Sequence, residues 1–153
     1  MYTIRFFVKP HLASYMYHRY KKTVESGAIR LPYNSILYHT LHQLTTRRPS
    51  GKVPREKGNL ALILPFSSIG KSPATYNYLS EQSILTLEMA IDVQMKMELY
   101  EFIRFNKFRK GIMYMTSARL FQNKHQMWDI TEEALIKSYQ RWRDREKKER
   151  KEE

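Results

Sequence analysis

Two pairs of side chains stand at spacings that could do chemistry. His39 and His42 are three residues apart, so on a helix they would meet on one face, where metal ligands meet. A zinc site needs three or four ligands, and no third donor stands at a ligand spacing from this pair. His11, His18 and His125 are scattered and read as core or surface residues. Glu98 and Glu101 repeat the three-residue offset, but paired carboxylates on a helix usually face solvent. The stretch Ser68–Ser72, SIGKS, ends like a phosphate-binding glycine-rich loop, yet no glycine lies five residues before Gly70, so the pattern fails. The chain has no cysteine, which excludes thiol catalysis, disulfides and thiolate-bound zinc. No catalytic residue, metal or cofactor is expected, and the chain reads as non-enzymatic.

What remains is charge. Lys and Arg number 27 against 15 Asp and Glu, for a net charge of +12. Such a field attracts polyanions, nucleic acid first and an anionic membrane surface second, and it disfavours self-association. The charge is unevenly spread: +9 over residues 1–57, −2 over 58–100 and +5 over 101–153. Three basic segments are candidate nucleic-acid contacts. Residues 45–59 carry Arg47, Arg48, Lys52, Arg55 and Lys57 against one acid, Glu56, on a stretch with two prolines and two glycines. It reads as an exposed, mobile loop able to follow a phosphate backbone. RFNKFRKG carries Arg104, Lys107, Arg109 and Lys110 with no acid. Its Phe105 and Phe108 are either stacking platforms for single-stranded bases or plain core residues. The last helix offers Lys137, Gln140, Arg141 and Arg143 on the side away from its apolar residues, types that reach phosphates or base edges.

These residues need elements to hold them. Tyr2 to Val8 alternates as a strand. Pro10 starts a helix whose face is Leu12, Tyr15, Met16, Arg19 by its stem, and Tyr20, stopped by Ser26 and Gly27. AIRLP could form a short strand. Asn34 or Ser35 caps a helix with Ile36, Leu37, Leu41 and Leu44 inward. LALILPF is a buried strand, and SSIGKSPATYN a loop. Residues 80–105 lack Gly and Pro and form the longest helix, ended by Gly111. Ile84, Leu87, Ile91, Met95, Leu99 and Phe102 or Ile103 give its first buried face. Leu85, Met89, Val93 and Met97 give a second. A helix over 112–121 follows. Asp129 with Glu132, or Thr131, then caps a last helix bearing Leu135, Ile136, Tyr139 and Trp142 on one face. The connection between these two helices is too long for a helix-turn-helix.

The segment from Arg141 has seven bases but five acids, with Asp144–Lys148, Arg145–Glu149 and Glu146–Arg150 at the i,i+4 spacing. It reads as a solvated, self-paired helix end that frays. The fold class expected is mostly α with some β: a helical bundle around a long central helix, with a few short strands in the N-terminal half. Residues 1–145 would be one domain and 146–153 a charged tail. Arg5 and Lys9 interrupt any leader-like apolar run, and no run of about 18 apolar residues exists. A cytoplasmic protein without a membrane partner is expected.

FFVKPHLASYMYHRY and ITEEALIKSYQRW resemble small uncharacterised proteins of bacterial prophages and mobile elements. That resemblance covers the first twenty residues and the last helix, and it implies DNA association. The function expected is non-enzymatic binding of nucleic acid, DNA in particular. The alternative is an interaction or assembly module for an acidic partner. Oligomeric state is not legible.

Overall fold

The computed structural model describes residues 1–66 and 70–152. Strand β1 (Thr3–Phe6) is followed by helix α1 (Pro10–Arg19), which starts on the proline. Proline has no amide to leave unbonded in a first turn, and its φ is already helical. A single 3-10 turn (Lys21–Thr23) leads into β2 (Val24–Glu25) and β3 (Ala28–Ile29). Ser26 and Gly27 do not stop a helix. They are the two-residue turn of the β2–β3 hairpin, with φ of 52° and 79°, the left-handed pair such a turn requires.

Helix α2 (Ile36–Leu44) is capped by Ser35, whose hydroxyl accepts the Tyr38 amide at 3.2 Å. Leu37 and Leu41 are buried, but Ile36, expected inward, is exposed. It lies about 100° around the helix from Leu37, on the solvent side. Strand β5 (Leu60–Ile63) is buried along its whole length and lies between β1 and β3, giving the order β1-β5-β3-β2. β1 and β5 are antiparallel; β3 and β5 are parallel.

Residues 45–59 are less free than expected. β4 (Thr46–Arg47) pairs with β6 (Tyr76–Tyr78), which occupies part of the stretch read as a loop. Ser67, Ser68 and Ile69, from the same stretch, lie outside the described residues. Thr45 is buried. Asn59 holds Val8 at both backbone atoms: its Oδ1 accepts the Val8 amide at 2.9 Å and its Nδ2 donates to the Val8 carbonyl at 2.8 Å. A Cβ on Gly58 would stand 2.0 Å from the Phe6 carbonyl carbon, so only glycine fits there.

Helix α3 (Glu81–Lys110) is the spine, about 45 Å long. Ser80 caps its start, accepting the Ser83 amide at 3.1 Å. Gly111, at φ 65°, ends it in a left-handed cap, where the Ile112 amide returns to the Asn106 carbonyl at 3.0 Å. The helix runs five residues past the expected end because no breaker precedes Gly111. Leu87, Ile91, Met95, Leu99 and Ile103 are buried as expected. The second face is a correction. Leu85, Met89, Val93 and Met97 are 53, 68, 60 and 41% exposed. Apolar residues two apart on a helix are about 200° apart, so the odd-numbered residues from Leu85 to Leu99 split into two opposite stripes. The core covers only one.

Helix α4 (Tyr114–His125) is longer than the sequence suggested at its C-terminal end. Helix α5 (Glu132–Glu152) is capped by Thr131, whose Oγ1 accepts the Ala134 amide at 3.1 Å. Asp129 is not the cap; its Oδ2 lies 3.2 Å from His11 Nδ1, tying this connection to α1. α1, α4 and α5 pack on α3, with α2 beside its middle, so the architecture is the mostly helical bundle with a few N-terminal strands that the sequence implied. α5 stays helical through Glu152, and of its expected self-pairs Glu146–Arg150, at 3.6 Å, is formed. No helix among the described residues is long and apolar enough to cross a membrane.

Candidate nucleic-acid interface

Arg104, Lys107, Arg109 and Lys110 occupy the last two turns of α3 and are all exposed. Cations are favoured there by the negative end of the helix dipole. Phe105 and Phe108, interleaved with them, are 53 and 73% exposed, so neither is a core residue. Of the four cations only Arg104 has an ion-pair partner among the described residues, Glu146 at 3.8 Å. The Lys110 ammonium lies 5.7 Å from the Phe105 ring, and the Lys107 ammonium 5.5 Å from the Tyr114 ring.

Beside this end of α3 is an aromatic stack. The Arg104 guanidinium sits 4.8 Å from the Trp142 ring, which stacks on Tyr100 at 5.0 Å with planes 23° apart. Tyr100 is hydrogen-bonded to Ser138 on α5. Trp142 is half-buried rather than fully inside. Arg143, expected on the outer side of α5, instead turns toward α4. Its guanidinium is 5.7 Å from the Tyr114 ring, and its Nε is buried without a hydrogen bond. Burial pushes the Tyr139 phenol above its usual range, with Tyr114 adding to the rise and Arg143 and Arg104 opposing it. It is therefore a neutral core phenol. Lys137 and Arg141 are exposed on α5.

The loop cations lie elsewhere. Arg47, Arg48, Lys52 and Lys57 are exposed. Pro49 to Lys52 forms a tight turn, closed by the Lys52 amide on the Pro49 carbonyl at 3.1 Å, with Gly51 at φ 82° as its third residue. The Arg47 guanidinium rests 5.3 Å from the Tyr76 ring. Arg55 is half-buried and occupied: its Nε donates to the Leu79 carbonyl at 2.9 Å, and it lies 5.0 Å from the Tyr78 ring. It pins the loop beside the start of α3. The loop and the 104–110 cluster thus stand at opposite ends of one helix, roughly 35–40 Å apart, and do not form a single patch.

His39 and His42 gain no third donor, and no group of three or more potential metal ligands gathers among the described residues. Glu98, which was read as solvent-facing, is held by Arg19 Nε at 2.9 Å. Comparison with protein-family models, curated proteins and solved structures gives no match for this chain.

Proposed function

We propose that this chain binds nucleic acid, DNA in particular, and that it engages unpaired bases at the C-terminal end of α3. The carrying observation is that Phe105 and Phe108 are exposed among Lys107, Arg109 and Lys110, which have no acidic partner among the described residues. Cations would neutralise successive phosphates while bases stack on the rings, each stacked base contributing about 1–3 kcal/mol. Duplex DNA offers phosphates but hides its base faces, so strandedness decides how much of the site is used. The exposed loop cations Arg47, Arg48, Lys52 and Lys57 would meet the same strand at the other end of α3, with Lys137 and Arg141 on α5 as further contacts. A non-enzymatic, cytoplasmic role in the replication, transcription control or mobility of a bacterial prophage or mobile element fits this chemistry.

The test is anisotropy with single-stranded and duplex DNA of one sequence. The Phe105→Ala/Phe108→Ala double variant should lose about tenfold or more in single-strand affinity and little in duplex affinity. Equal losses on both, or none, would reject the stacking role. A second reading, an interaction module, draws on the exposed stripe from Leu85 to Met97. Its partner there would be apolar rather than acidic, because Glu101 is exposed beside that stripe.

A further inference from the structure

A cavity of about 330 Å³ opens between the C-terminal ends of α1 and α4, with α3 behind it. Volumes of this size suit small organic ligands. Its polar wall holds three permanent cations, Arg19, Lys21 and Lys124, against one carboxylate, Glu98. Glu98 is already engaged by Arg19 Nε at 2.9 Å. Lys21 and Lys124 have no ion-pair partner among the described residues. Phe102 and Phe121 supply the apolar wall. His18 and His125 complete the lining. The His18 Nδ1 lies 2.8 Å from the Ser14 carbonyl, which can only accept, so Nδ1 donates to it.

His125 forms part of this lining. It is buried, its ring lies 4.6 Å from Phe121 and 5.1 Å from Tyr15, and its Nδ1 has no hydrogen-bond partner. Burial pushes its pKa down to about 4, and Lys124, His18 and Arg19 push in the same direction.

We propose that this cavity binds a phosphate monoester. The permanent charges of the wall, three cations against Glu98, sum to two positive, and a phosphate monoester carries roughly −1.5 to −2 at pH 7. A backbone diester, with one charge, matches it less well. The two rings accept the organic part. Basic residues at helix ends also complement helix dipoles, which accounts for the positions of Arg19 and Lys124. It does not account for the apolar-walled cavity between them. The proposal goes beyond the interface at the end of α3 and does not depend on it.

The experiment uses the full chain with histidine-detected NMR and calorimetry. The probes are adenosine monophosphate, inorganic phosphate, and a short single strand with either a 5′-phosphate or a 5′-hydroxyl. Adenosine monophosphate should bind saturably, inorganic phosphate more weakly, and the His125 pKa should rise from about 4 on saturation. Lys21→Gln/Lys124→Gln should weaken binding about tenfold or more while lowering the unliganded melting temperature by no more than about 4 °C. A gain for the 5′-phosphorylated strand over its hydroxyl twin identifies a strand end as the source; binding of the mononucleotide without that gain identifies a free nucleotide. No saturable binding by any probe at millimolar concentration would overturn the proposal. So would binding that ignores the double variant, or that leaves His125 unmoved, with the cations then serving the helix ends alone.

Discussion

The opposed stripes of α3 can be tested by substituting neighbours two residues apart. Leu87 and Ile91 are fully buried, whereas Met89 and Val93, between and beyond them, are mostly exposed. Leu87→Ala or Ile91→Ala removes buried methyl groups and leaves a cavity, at a cost of about 2–5 kcal/mol. Met89→Ala and Val93→Ala remove surface already in water and should change stability by less than about 0.5 kcal/mol. At this chain length each 1 kcal/mol moves the melting temperature by roughly 2–4 °C, so Leu87→Ala should fall by about 10 °C and Met89→Ala by almost nothing. Thermal melts at low protein concentration, monitored by circular dichroism, give both shifts, and urea titration gives the matching free energies. The contrast also tests the secondary structure itself. In a strand, residues 87 and 89 share a face and would respond alike; only a helix separates them. Equal losses at Leu87 and Met89 would refute the helix and the exposed stripe together.

Gly58→Ala should destabilise the fold by about 3 kcal/mol or more, because the new methyl meets the Phe6 backbone and one of the two must move; wild-type stability in this variant would contradict the close approach. Arg55→Ala should lower the melting temperature while leaving DNA affinity nearly intact, since Arg55 is spent on Leu79 and Tyr78; the reverse pattern would return Arg55 to the binding surface. The folded-state pKa of His125 lies below that of the unfolded chain, so below pH 6.5 the unfolded state takes the proton first. Stability should be independent of this group above pH 6.5 and fall towards pH 4 by at most about 1.4 kcal/mol per pH unit. His125→Gln should flatten that slope, and an unchanged slope would place the acid sensitivity elsewhere.

Much of this architecture was legible in the sequence, for identifiable reasons. Pro10 and Gly111 mark helix ends by backbone chemistry that acts locally, and both hold; of Asn34 and Ser35, the cap is Ser35. The fate of Leu85 to Met97 was not legible from apolarity. Apolar residues at every second position from Leu85 to Leu99 read equally as a strand or as a helix with two faces, and only the tertiary arrangement decides how many faces are covered. The same limit applies to Ser26 and Gly27, where a helix stop and a hairpin turn call for the same residues. Among the site residues, composition found the cations but not their company. Nothing in the spacing tells that Arg55 meets Tyr78, 23 residues away, or that Arg104 covers Trp142. The cavity at His125 joins residues about a hundred positions apart, and its only sequence signal is basic residues in the last turns of two helices.

The central claim is that the exposed cations at the end of α3 grip phosphates of a strand whose bases stack beside them. The direct measurement is the salt dependence of single-stranded DNA affinity for the wild type and for Lys107→Gln/Arg109→Gln/Lys110→Gln. Each lost phosphate contact lowers the log–log slope by about 0.7 on single strands, so the triple variant should show a slope smaller by about two and a weaker affinity at every salt concentration. An unchanged slope, or wild-type binding by the variant, would contradict the account and remove the end of α3 as the interface.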